Sequence, residues 1–167
     1  MRLDLSQIIE VPGGSVPFSC ILDTADLDFE GVKSYVSAPA AVGAVRNTAG
    51  VLELTGTLKT DMLCVCDRCG GEYDLKKETP LRAVISEDDS DEENPDVFPL
   101  EGDGIDLTEI IRTLFILDMD TKFLCSPDCR GLCPTCGANL NLGPCGCRKE
   151  SDPRMAVLEQ LLDKKDN

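Results

Sequence analysis

Histidine and tryptophan are both absent from the 167 residues, and aromatic side chains make up only 4%. Without imidazole the chain lacks the commonest general base and the nitrogen ligand that most catalytic zinc sites use. Any metal it holds must be held by thiolates or carboxylates. The shortage of rings leaves few platforms on which bases could stack, and it requires a core of Leu, Val, Ile and Ala. Long apolar runs are lacking too: the opening MRLDLSQIIEVPGG has neither the stretch of a secretion signal nor that of a spanning helix, so the chain is expected in the cytoplasm without membrane contact. Positive charge is scarce, with 16 Lys and Arg against 31 Asp and Glu and a formal charge of −15.

The deficit is uneven. Residues 1–120 hold 9 basic and 25 acidic side chains, residues 121–167 hold 7 and 6. Such a surface repels phosphate backbones and attracts basic proteins. The exception is the C-terminal part, where Lys122, Arg130, Arg148, Lys149 and Arg154 cluster in the sequence and are candidate RNA contacts.

Cysteine is abundant, at ten residues. In a reducing compartment that number reads as metal ligands before disulfides. "CPTCG" has the form of a zinc knuckle, in which two residues between thiols and a following glycine let a tight turn aim both sulfurs at one ion. "CGC" follows after eight residues, so Cys133, Cys136, Cys145 and Cys147 make one complete site. "CDRCGG" supplies a second knuckle, and pairing Cys66 and Cys69 with Cys125 and Cys129 closes a second four-cysteine site across 55 intervening residues. Closing so long a loop costs little more than closing a short one.

Two structural zinc ions follow from this pairing, and with four thiolates each they would take the formal charge to about −19. Alternatives are a single site within 125–147 with the other thiols free, or an iron–sulfur cluster. Cys64 lies two positions before Cys66, faces the same way on an extended strand, and rivals it as a ligand. Cys20 reads as a small core residue. Four thiolates close a coordination shell, so the metals are expected to be structural, with no small-molecule substrate.

The fold class expected is α+β: an antiparallel β-rich body, one or two packed helices, and a C-terminal cysteine-rich zinc-binding module. Residues 40–66 read as two strands joined by a turn at Asn47, Thr48, Ala49 and Gly50, with Leu52, Leu54, Leu58 and Met62 on one face. Residues 16–22 and 72–85 read as further strands. "SEDDSDEENPD", residues 86–96, places seven carboxylates in eleven positions without an apolar side chain and reads as a disordered loop. Asp106 can cap a helix carrying Leu107, Ile110, Ile111, Leu114 and Phe115, with Glu109 placed to complete a capping box. Asp152 followed by Pro153 signals a second helix, with Met155, Val157, Leu158, Leu161 and Leu162 as its apolar face. The division expected is a body, 1–120, and a zinc module with its helix, 121–167.

"CDRCGGEY", "DLTEIIRTLFI", "LCSPDCRGLCPTCGANLN", "CGC" and "DPRMAVLEQLL" occur in the order seen in the YceD family, the large ribosomal RNA subunit accumulation proteins, which the chain resembles over most of its length. The resemblance implies a bacterial or organelle-derived cytoplasmic protein needed for normal accumulation of the large-subunit ribosomal RNA; the missing histidine and the closed metal shells argue against an enzymatic role. It also implies a ribosomal protein or pre-ribosomal particle as partner, since family members often sit beside a gene for a small, basic, zinc-binding large-subunit protein. Cys66, Cys69 and the cysteines from 125 to 147 match the family's motif positions. Two uses of this surface compete: docking a basic ribosomal protein, or contacting precursor rRNA through the basic residues of the zinc module.

Overall fold

The computed structural model describes residues 1–25, 27–86 and 97–147. Eight strands precede the one helix found among them: β1 (Arg2–Asp4), β2 (Ser15–Ile21), β3 (Val32–Tyr35), β4 (Ala40–Thr48), β5 (Val51–Val65), β6 (Glu72–Ser86), β7 (Val97–Pro99), β8 (Gly104–Asp106) and α1 (Leu107–Leu117). The main sheet runs β2-β4-β5-β6-β7, and β3 takes up the part of β5 that β4 leaves unpaired. All its pairings are antiparallel except β6 with β7. β1 and β8 form a separate antiparallel pair that leads into α1.

The period-two pattern of β5 translates directly into burial. Leu52, Leu54, Leu58, Met62 and Cys64 are buried, while Thr55 and Lys59 face solvent. The β4–β5 turn has positive φ at Ala49 (54°) and Gly50 (97°), the handedness that matches the twist of a two-residue hairpin. Ala49 adopts it because Asn47 Oδ1 accepts the Gly50 N–H at 2.8 Å. The buried Asn47 also donates from Nδ2 to the carbonyls of Ile8 and Ile9, both at 2.8 Å, so its polar atoms are satisfied.

α1 lays Leu107, Ile110, Ile111, Leu114 and Phe115 against the sheet, and Phe115 meets Phe29 edge to face at 5.9 Å. Each of these large side chains contributes about 1.5–3 kcal/mol by leaving water. Asp106 caps the helix by accepting from Thr108 N and Glu109 N. The Glu109 carboxylate reaches forward to Arg112 at 3.8 Å, the direction opposite to the one a capping box requires. Cys20 is buried in the core, as expected. Ser86 ends β6; residues 87–96, which hold the rest of the acidic run, and the expected helix from Asp152 lie outside the described residues.

β5 and β6 dominate the architecture: two 15-residue strands paired from Leu52↔Ile85 to Val65↔Glu72. Their connection, residues 66–71, carries the first knuckle. Phe123, buried in the core, brings the chain back to that tip: Asp67 N donates to Phe123 O at 2.9 Å, and Phe123 N donates to Asp67 Oδ2 at 2.7 Å.

Candidate metal centres

The two knuckles are built on one plan. In the first, Cys66 N donates to Gly71 O (2.9 Å) and Gly70 N to Cys66 O (2.8 Å); in the second, Cys133 N donates to Ala138 O (2.8 Å) and Gly137 N to Cys133 O (2.9 Å). Gly70 and Gly137 turn the chain with φ of 68° and 72°, a conformation that strains any residue bearing a Cβ. Backbone N–H groups are thereby left pointing at the first thiol of each pair.

The fold gathers the eight cysteines into two foursomes. The sulfurs of Cys66, Cys69, Cys125 and Cys129 all lie within 4.8 Å of one another, as do those of Cys133, Cys136, Cys145 and Cys147. Either group could hold a metal ion. In the first, Cys66 Sγ is 3.8 Å from Cys129 Sγ and Cys69 Sγ is 3.7 Å from Cys125 Sγ. Disulfide sulfurs sit about 2.05 Å apart, and all ten cysteines are free. A tetrahedral ion with sulfur bonds of about 2.3 Å has sulfur–sulfur edges of about 3.8 Å, so these thiols stand at the spacing of co-ligands.

The electrostatics point the same way. Burial pushes the Cys66 thiol up, but N–H groups of Cys125, Cys69 and Arg68 outweigh it and bring the thiol down to about 6. N–H groups of Cys136 and Thr135 bring Cys133 down to about 6. Their neighbours respond in the opposite sense: hydrogen bonding with Cys66 raises Cys125 to about 12, and hydrogen bonding with Cys136 raises Cys147 to about 12. Each foursome accepts its first negative charge readily and resists a full set. A cation at the centre is what would relieve that resistance.

Cys64 does not join either foursome. It pairs with Tyr73 in the ladder, is wholly buried in the core, and burial raises its thiol. Cys66 differs because it sits just past the end of β5, where the chain leaves the ladder. Lys122 and Arg130 are exposed on either side of Cys125 and Cys129 in the sequence. Arg148, Lys149 and Arg154 lie outside the described residues.

Three further residues, which the reading of the cysteine spacing left without a role, shape the first foursome. Arg68 Nη1 donates to the carbonyls of Cys129 (2.9 Å) and Pro127 (3.3 Å), which ties the knuckle to the returning chain. Asp67 holds Phe123 through the two bonds between them. Asn141 donates from Nδ2 to Cys129 Sγ at 3.2 Å, and this bond is the largest influence lowering the Cys129 thiol. An amide between "CPTCG" and "CGC" was visible in the sequence, but nothing there indicated which sulfur it would meet.

Comparison with known proteins adds to this geometry. The family model described as large ribosomal RNA subunit accumulation protein YceD matches residues 54–162, from β5 through both foursomes. A maize (Zea mays) protein named large ribosomal RNA subunit accumulation protein YCED homolog 1, chloroplastic, is 27% identical over 168 residues, covering 81% of this chain and 57% of its own length. An uncharacterised protein of Mycobacterium tuberculosis is 33% identical over 117 residues, covering 68% of this chain and 56% of its own. A protein of the maize name in Arabidopsis thaliana is 39% identical over 67 residues, 40% of this chain and 21% of its own. The chain spans little more than half the length of the first two relatives. No solved structure matches it. No helix among the described residues is long and apolar enough to cross a membrane. The family takes its name from RNA accumulation and not from a catalysed reaction, and on a match to 54–162 this chain belongs to the YceD family.

Proposed function

We propose that this chain is a non-enzymatic factor that supports large-subunit ribosomal RNA accumulation during ribosome assembly, working in a reducing compartment such as the cytoplasm by docking a basic ribosomal protein. Cys66, Cys69, Cys125 and Cys129 hold one zinc ion, and Cys133, Cys136, Cys145 and Cys147 hold a second. When bound, zinc supplies a cross-link between segments far apart in sequence and neutralises half of each foursome's charge. The first site staples the body, 1–120, to the module, 121–167.

The observation that carries this reading is the pair of all-thiolate foursomes. Four sulfurs fill a tetrahedral shell and leave no position for a substrate, so the metals act as scaffold. The tetrathiolate donor set, the 3.7 and 3.8 Å spacings and the lowered thiols of Cys66 and Cys133 all suit zinc. The formal charge of −15 favours encounter with a basic partner. The relatives named for large-subunit ribosomal RNA accumulation supply the process.

Pull-down of the full, metal-loaded chain with ribosomal components at moderate salt is expected to recover a basic large-subunit protein. Recovery of bare RNA would overturn the docking reading in favour of contact through Lys122, Arg130, Arg148, Lys149 and Arg154. Reversing the charge of Arg148, Lys149 and Arg154 would then abolish RNA retention and flatten its salt dependence.

A further inference from the structure

Asn141 belongs to one foursome by position and to the other by contact. It lies between Cys136 and Cys145, inside the loop that the second foursome closes, yet its amide donates to Cys129 Sγ of the first at 3.2 Å. Its Oδ1 accepts from Arg130 N at 2.8 Å, so both ends of the amide grip the segment that presents Cys129. Asn141 N in turn donates to Asn139 Oδ1 at 2.9 Å, which fixes the local turn.

Main-chain bonds reinforce the connection. Leu140 N donates to Gly131 O (2.9 Å), Leu132 bridges to Asn139, and Cys133 N donates to Ala138 O (2.8 Å). Across the junction, Leu132 N donates to Arg68 O at 3.1 Å, inside the first knuckle. Gly131, with φ of 71°, makes this approach: a Cβ there would lie 2.8 Å from Arg68 O. Residues 138–141 thus abut the first foursome from within the stretch between Cys136 and Cys145 of the second.

We propose that Asn141 is a positioning residue that couples the two sites, so that metal in the second site raises the affinity of the first. The proposal rests on the two-zinc reading above. Its mechanism is preorganisation: closing the 136–145 loop holds the Asn141 amide where it meets Cys129, and the first site then forms around a sulfur already oriented. Linkage makes the effect reciprocal, so metal in the first site strengthens the second by the same factor. Removing a hydrogen-bond partner of a metal ligand typically lowers affinity about 10- to 100-fold, which sets the size of the expected effect.

The test is stepwise Zn²⁺ titration of the full chain against a chromophoric chelator, with circular dichroism confirming the fold of each variant. Wild type is expected to take two ions. Asn141→Ala should still take two, with one step weakened about 10- to 100-fold. Asn141→Asp, which puts a carboxylate beside the thiolate and cannot donate, should weaken that step further. In a Cys145→Ser/Cys147→Ser background, which opens the second site, Asn141→Ala should have no additional effect on the remaining step, because the loop no longer holds the amide. A purely local role for Asn141 would leave its effect intact in that background, and this result would overturn the coupling. Equal affinities for wild type and Asn141→Ala would overturn it too, while leaving the two-zinc reading standing. Failure of wild type to bind two ions would sink both.

Discussion

Gly131 offers the sharpest test of how the first foursome is held. At φ of 71° an alanine costs roughly 1–2 kcal/mol from conformation alone. Its Cβ would also meet Arg68 O at 2.8 Å, a main-chain atom with no rotamer to escape into. Relief requires moving the 129–132 segment away from the knuckle, which breaks the bond from Leu132 N to Arg68 O and disturbs the one from Arg68 Nη1 to Cys129 O; one lost bond adds about 1 kcal/mol. Gly70 is the control: its φ is 68°, but a Cβ there meets nothing within 4 Å. Gly70→Ala should therefore cost about 1–2 kcal/mol and Gly131→Ala about 2–3 kcal/mol. Because metal affinity in a small thiolate module is largely folding free energy, these translate to roughly 5- to 30-fold and 30- to 150-fold weaker binding at the first site. Chelator competition reads both numbers. If Gly131→Ala binds metal as tightly as Gly70→Ala, the close approach to Arg68 is not what positions Cys129, and the reasoning fails.

Cysteine substitutions separate ligands from core. Cys66→Ser should lose one of two zinc ions per chain by elemental analysis; Cys64→Ser should keep both, while the buried hydroxyl lowers stability by about 1–3 kcal/mol in urea denaturation. The helix cap gives a pH signature. Hydrogen bonding from Glu109 N holds the Asp106 carboxyl below its ordinary value. A lowered carboxyl adds stability that is complete above its unfolded pKa and is lost as pH falls through the folded one. Asp106→Ala should thus be about 1 kcal/mol less stable than wild type at neutral pH, and the gap should narrow in acid. Asp106→Asn should keep its cap throughout and overtake wild type at low pH; a gap that stays constant down to about pH 2.5 would show that the carboxylate is not the cap.

The long elements were legible because each obeys one rule along its length. β5 alternates over 15 residues, and α1 repeats its apolar positions after a capping aspartate. The short strands β1, β3, β7 and β8, of three or four residues, were not: no period is visible in so few positions, and their pairing depends on what the long strands leave open. Grouping the cysteines by spacing gave the same two foursomes that the fold assembles, since a two-residue gap constrains a turn regardless of its surroundings. Cys64 against Cys66 could not be decided that way. Both point to the same side of the strand, and only the end of the ladder at Val65 distinguishes a core thiol from a knuckle thiol. The contacts of Arg68 and Asn141 were invisible for a related reason, as their partners are a carbonyl and a sulfur about 60 and 12 residues away.

The placement of the first foursome bears on how docking would work. It sits at the 66–71 end of the β5–β6 ribbon, while Ser86 of β6 and Val97 of β7, the described residues that flank the acidic run in the sequence, lie at the opposite end. Fifteen residues of strand separate these ends by about 45–50 Å. A small basic partner held at the Ser86–Val97 end would therefore not touch the cysteines. An extended partner could reach both ends, and its affinity would then depend on the metal state of the knuckle as well as on salt. Stripping the metal at constant ionic strength separates the two cases: loss of binding requires contact near the cysteines, whereas unchanged binding confines the partner to the Ser86–Val97 end of the ribbon.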